Sequence, residues 1–238
     1  MNIALLFIPG LLCTKALFAP QIKAFEPLVP IHVADHQQDD TIEAVATRAL
    51  QAIETRKFVA VGLSMGGYVA LELARAAPER VAALALIDTS ARADRPTQIA
   101  QRRALVAQAE DHGLSTVMDD LLPLLLHPAR FADGPLPQMV RDMAVETGVA
   151  TFARQQEAII SRPDMRPDLA TIACPTQIIV GANDLITPMK VSREMADAIL
   201  DARLDVLPNC GHLASLERPH AVTALLRRLL HRVTSSPS

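Results

Sequence analysis

Ser64 stands in Gly62-Leu63-Ser64-Met65-Gly66, after the apolar run Phe58-Val59-Ala60-Val61 and at the start of a helix-like stretch. A serine hydroxyl becomes a useful nucleophile when a base takes its proton and a carboxylate orients and charge-stabilises that base. The strand-to-helix context is the one such a serine needs. A tight turn holds it in a strained backbone conformation, and small residues beside it let strand and helix approach. Gly62, Gly66 and Gly67 meet that need. Gly-x-Ser-x-Gly arises by chance in roughly one chain of this size in ten at ordinary Gly and Ser usage, so the reading depends on its partners.

Those partners follow in the order Ser, acid, His. After Thr176-Gln177-Ile178-Ile179-Val180 comes Gly181-Ala182-Asn183-Asp184, which places Asp184 just beyond the carboxyl end of an expected buried strand. An open α/β sheet keeps its ligand-facing groups there. Arg203-Leu204-Asp205-Val206-Leu207 then reads as a short strand. Pro208-Asn209-Cys210-Gly211-His212 is a turn-rich loop carrying one imidazole, and His212 is the natural base. Asp184 has a second reading as the cap of a helix beginning near Pro188. Asp88, at the end of Ala83-Leu84-Ala85-Leu86-Ile87, is the rival acid, or a cap for the turn that follows it.

Taken together, Gly62-Leu63-Ser64-Met65-Gly66-Gly67, Gly181-Ala182-Asn183-Asp184 with Pro188, and Gly211-His212 with Glu217-Arg218-Pro219 resemble the recurrent pattern of the α/β-hydrolase superfamily, from Ile3 to about Arg232. Within it the chain is similar to small bacterial serine esterases and enol-lactonases. The resemblance implies a triad of Ser64, Asp184 and His212, and an oxyanion hole of two backbone amides. Met65, after the nucleophile, supplies one. The other comes from the loop Pro9-Gly10-Leu11-Leu12 after the apolar run Ile3–Ile8; the resemblance implies the Leu11 amide, with Leu12 as a second candidate. Many relatives carry His-Gly where this chain has Pro9-Gly10.

The elements that must position these groups are legible as an alternation. Short apolar strands near 3–8, 29–33, 58–63, 83–87, 176–180 and 203–207 alternate with helix-like stretches, the pattern of a mostly parallel, doubly wound sheet of about six strands. The fold class is α/β. Larger relatives begin with an antiparallel hairpin that this reading lacks, which implies a sheet trimmed at one edge. Residues 91–169 break the alternation. They read as helices over Thr97–His112, Ser115–Leu126, Leu136–Thr147 and Ala150–Ile160. The expectation is a core domain of 1–90 and 170–238 with a helical cap, 91–169, and the resemblance implies that such a cap covers the nucleophile and selects substrates. Leu121, Leu122, Leu124, Leu125, Leu126, Met118, Met139, Met143 and Phe152 make an apolar pocket there expected, although most are read as packing. No substrate-binding residue is singled out. Arg162-Pro163-Asp164-Met165-Arg166-Pro167-Asp168 reads as an extended return crossing whose charges either reach the site rim or, the better reading, are solvated.

Other clusters have blander readings. His32, Asp35, His36, Asp39 and Asp40 crowd one loop, but their spacing fits no closed metal site. Asp40 with Glu43 reads instead as an N-cap and its reciprocal partner. Arg102-Arg103 and Arg227-Arg228 read as solvated helix faces. No metal and no cofactor are expected.

The 238 residues are half hydrophobic with a net charge of -3, so one large domain is expected and neither nucleic acid nor a membrane surface is an expected partner. Cys13, Cys174 and Cys210 show no metal-type pairing and point to a reducing compartment, by default the cytoplasm. The apolar start lacks a basic n-region and a cleavage site, and no run approaches a membrane span. The activity expected is hydrolysis of a small to medium carboxylic ester, thioester or lactone. An enol-lactone or carbon–carbon bond substrate is the alternative. From a different class, a non-catalytic ligand-binding role uses the same fold.

Overall fold

The structure, a computed structural model, describes residues 3–131 and 134–235. Six strands form one sheet: β1 (Ile3–Ile8), β2 (Ile31–Val33), β3 (Lys57–Leu63), β4 (Val81–Ile87), β5 (Thr176–Gly181) and β6 (Ala202–Leu207). Their order is β2-β1-β3-β4-β5-β6 and every neighbouring pair is parallel. The α/β-hydrolase type of sheet read from the sequence is therefore present. Because β1 is buried along its whole length, its residues are apolar without alternation, as a strand covered on both faces requires.

The side chains of β1 divide between two cores. Ile3, Leu5 and Phe7 face a cluster shared with α1 (Ala19–Phe25) and α10 (Pro219–Thr234). Ala4, Leu6 and Ile8 face a second one shared with α2 (Ile42–Ala52), α3 (Met65–Ala76) and α8 (Met189–Ala198). Helix α10 shows why the sequence folds this way. Val222, Leu225, Leu226, Leu229 and Leu230 repeat at helical spacing and are all buried, each contributing about 1.5 to 3 kcal/mol by leaving water.

Among the described residues four α-helices run between β4 and β5: α4 (Pro96–His112), α5 (Leu114–Leu125), α6 (Pro135–Thr147) and α7 (Val149–Ser161). Glycines Gly113 and Gly148 divide them, at φ 80° and 77°, where a side chain is costly and a helix readily ends. Met118, Leu122, Leu126, Met143 and Phe152 are buried packing, while Leu124 and Met139 remain exposed. A one-turn helix, α9 (Ala214–Glu217), follows β6.

Three local expectations are corrected. The cap of α2 is Thr41, whose hydroxyl accepts the Ala44 amide at 3.1 Å, and Asp39 pairs with Arg48 at 2.7 Å; Asp40 and Glu43 do not form the expected box. The crossing from α7 back to β5 coils into a 3-10 helix at Arg166–Thr171, entered through Pro167, instead of staying extended. Arg162 and Arg102 are not solvated. Both bind Asp94, whose side chain is 1% exposed, and Arg162 also donates to the Ile159 and Arg92 carbonyls. An ion buried this deeply needs such partners, which periodicity does not reveal. Among the described residues no helix is long and apolar enough to cross a membrane.

Candidate active site

The carboxyl ends of β1, β3, β4, β5 and the loop after β6 meet at one place. Ser64 sits between β3 and α3 at φ 54°, ψ -117°, a conformation that costs of order 1 to 3 kcal/mol in a non-glycine residue and persists only where its surroundings enforce it. Here the Ser64 amide donates to the Ile87 carbonyl at 3.0 Å, and its carbonyl accepts from the Thr89 hydroxyl at 2.7 Å and the Gly67 amide at 2.9 Å. Gly66 is obligatory for close approach, since a Cβ there would fall on the Ile8 carbonyl. The serine side chain caps nothing, which leaves Oγ free.

That hydroxyl lies 2.9 Å from Nε2 of His212, and Nδ1 of His212 lies 2.9 Å from Oδ2 of Asp184. A carboxylate only accepts, so Nδ1 carries the proton and Nε2 is left to accept from Ser64. Asp184 serves both roles read for it. Oδ1 accepts the Ile186 and Thr187 amides at 2.8 and 2.9 Å, capping its own loop, and Oδ2 accepts the Thr187 hydroxyl at 2.6 Å besides the imidazole. Burial opposes ionisation of Asp184, but His212 and the Thr187 bonds outweigh it and bring the pKa down to about 2. For His212 burial opposes the charged ring, and attraction and hydrogen bonding to Asp184 reverse that, leaving its pKa above the ordinary 6.5.

Asp88 does not bond to the imidazole. Fully buried at φ 44°, it accepts the Gly181 amide on Oδ1 at 2.8 Å and the Ala214 amide on Oδ2 at 3.0 Å. It thereby ties the loop that carries Asp184 to the loop that carries His212. Burial and the nearby Asp184 push its carboxyl well above the usual range. Glu217, also buried, accepts the Gly211 amide at 2.9 Å and the His127 amide at 3.0 Å. Together with the bond from the His212 amide to the Leu125 carbonyl at 2.9 Å, it fastens the histidine loop to the end of α5.

The two amides expected as oxyanion donors have different surroundings from the rival. Leu12, at φ 58°, gives its amide to Oε1 of Gln155 at 3.1 Å and is thus occupied. Among the described residues no hydrogen bond engages the Leu11 or Met65 amide. Met65 opens α3, where the helix dipole adds positive potential. The loop abuts the serine, because a Cβ on Gly10 would lie 3.4 Å from that of Ser64.

Sequence reasoning missed Thr187, Gln155 and the bridging parts of Asp88 and Glu217. Glu217 stood inside a recurrent motif and was traceable. Gln155 carried no local signal, because its partners are distant in the chain.

The comparison that decides the family covers most of the chain: residues 12–225 match the model of the Alpha/beta hydrolase family. The chain belongs to that family. This alpha/beta hydrolase is 31% identical over 201 residues, 79% of its own length and 73% of the relative's, to a Mycobacterium tuberculosis protein provisionally named a non-heme bromoperoxidase. It superposes on a thermophilic esterase from Thermogutta terrifontis with a TM-score of 0.89 at 27% identity, covering 98% of this chain and 91% of that one. For an enol-lactonase from Burkholderia xenovorans the TM-score is 0.86 at 26% identity, covering 97% and 92%. The alpha/beta hydrolase thus has relatives named for more than one reaction.

Proposed function

We propose that this protein is a serine hydrolase that cleaves a small to medium carboxylic ester in two steps through an acyl-enzyme. The observation that carries the reading is the continuous chain from Ser64 Oγ through His212 to Asp184, with 2.9 Å at each link. Nε2 of His212 removes the Ser64 proton as Oγ attacks the carbonyl carbon. The Leu11 and Met65 amides hold the resulting oxyanion, and Asp184 stabilises the imidazolium. As the carbonyl re-forms, the alcohol departs with the proton from His212. Water then gives a proton to His212, attacks the acyl carbon, and releases the acid with Ser64 restored. The four helices between β4 and β5 act as the cap over this site, and residues 91–169 are the segment that sets substrate fit.

A lactone is the second reading, supported by the likeness to an enol-lactonase. It needs the same groups, with the alcohol staying attached to the acid. Three cysteines without disulfide partners support a place in a reducing compartment such as the cytoplasm. Hydrolysis of p-nitrophenyl esters from acetate to octanoate, by wild type and Ser64→Ala, tests the proposal. Cleavage by wild type and loss of at least a thousandfold in the variant are expected, and the chain-length optimum sizes the pocket. Equal cleavage by both would overturn the mechanism, and inertness of both would remove simple esters as the substrate class.

A further inference from the structure

The side chain of Gln155 is fully buried on α7, yet it reaches out of the inserted helices to the loop after β1. Its Oε1 accepts the Leu12 amide at 3.1 Å, and its Nε2 donates to the His36 carbonyl at 3.4 Å. The ring of His36, buried in turn, places Nε2 3.2 Å from the Gly10 carbonyl. Burial lowers the pKa of His36, so the ring is neutral, and Nε2 carries the proton that it donates. The Cys13 amide donates to the same carbonyl at 3.2 Å.

Peptide geometry turns these bonds into an aim. The Gly10 carbonyl and the Leu11 amide belong to one planar trans peptide, in which C=O and N–H point in opposite directions. Holding the carbonyl toward His36 therefore holds the Leu11 N–H away from it. The next peptide, which carries the Leu12 amide, is held by Gln155. Leu12 at φ 58° lies between held groups in a conformation that a leucine rarely keeps unaided. The Leu11 N–H lies in the first of these planes, held through His36, and the second plane, on the other side of the Leu11 Cα, is held directly from the inserted helices.

We propose that Gln155, acting with His36, is a positioning residue that aims the Leu11 amide at the oxyanion, so that the inserted helices complete the catalytic site as well as covering it. This rests on the serine mechanism above. An oxyanion forms only after attack, so loss of Gln155 weakens transition-state stabilisation and leaves substrate binding almost unchanged.

The test compares wild type, Gln155→Met, Gln155→Glu and Ser64→Ala by ester kinetics, affinity for phenylboronic acid, and the rate of labelling by a fluorophosphonate, which needs no knowledge of the natural substrate. Gln155→Met keeps the volume and removes both hydrogen bonds. It is expected to lower kcat and the labelling rate by about 10- to 100-fold with KM within about twofold, and to weaken boronate binding in parallel. Gln155→Glu keeps an acceptor for Leu12 but loses the donor to His36, and is expected to fall between. Thermal unfolding reports whether each variant is folded; Gln155→Glu carries the comparison if Gln155→Met is not. Wild-type kcat and boronate affinity in the folded variants, or a loss confined to KM, overturns the inference while an inert Ser64→Ala keeps the serine mechanism. Labelling or cleavage that persists in Ser64→Ala overturns the mechanism itself.

Discussion

His212 lies among three buried carboxyl groups, Asp184, Asp88 and Glu217, and hydrogen-bonds with Asp184 alone of the three. In the proposed mechanism that asymmetry makes its protonation the natural pH switch. Only the neutral ring can take the Ser64 proton, and the folded protein holds the ring's pKa above 6.5. The acid limb of the rate profile should therefore lie above pH 6.5, activity falling as pH drops through it. In Asp184→Asn the attraction is gone, so the limb should move to lower pH while kcat drops by about ten-thousand-fold. Profiles of kcat/KM against pH for the two proteins check both statements. The effect on stability has the opposite sense. A raised histidine pKa stabilises the fold fully below about pH 6.5, and this contribution is lost as pH rises through the folded value. Asp184, with its pKa near 2, stays ionised throughout the working range.

Strand ends and loops carry the groups proposed to react, and buried side chains join those loops. Four described residues other than glycine have positive φ: Leu12, Ser64, Asp88 and Asn209. They follow β1, β3, β4 and β6, and three of them bear directly on the site. Asp88 is the joint between the Asp184 loop and the His212 loop. Asp88→Asn keeps the size but offers one acceptor in place of two, and its NH2 must face a backbone donor. One buried amide then loses its partner, at about 1 to 3 kcal/mol. The expected outcome is a lower midpoint in urea with unchanged slope, together with a fall in kcat because His212 and Asp184 lose their common tie. Unchanged stability and kcat would show that the joint is dispensable.

At the scale of the molecule, the inserted helices are clamped where they leave and rejoin the sheet. Asp94 precedes α4, Arg162 follows α7, and they pair at 2.8 Å with side chains 1% and 7% exposed. Arg102 binds the other oxygen of the same carboxylate. Burial opposes the charge on Asp94, but the two arginines prevail and its pKa is lowered. This contribution to stability is present above the unfolded value near 3.8 and is lost as pH falls through the folded one. Asp94→Ala would leave Arg162 charged and buried with only the Ile159 and Arg92 carbonyls as acceptors and no counter-ion. A loss of about 3 to 5 kcal/mol is expected. Amide exchange should quicken first in α4 and α7, and protection retained there would show that the clamp is not what fixes the helices.

Much of this protein was written in short-range patterns. Apolar runs of strand length separated by helical periodicity dictated the parallel sheet, and each of the six strands falls within two residues of where its apolar run predicts it. Small residues around Ser64 dictated the turn, and the loops after two later strands supplied an acid and an imidazole in the order a triad needs. Such features depend on neighbours in the chain, which is why the sequence alone carries them. Tertiary structure decided the rest. The sequence offered two acids, and folding gave the imidazole to Asp184 and the loop joint to Asp88. It offered two loop amides, and a glutamine 143 positions away occupied that of Leu12 and left Leu11 free. It made Arg162 look solvated because its ion partner, Asp94, stands 68 positions away in the chain. Hydrogen bonds between groups distant in the chain leave no periodic trace, and they fix where each polar atom of this site points.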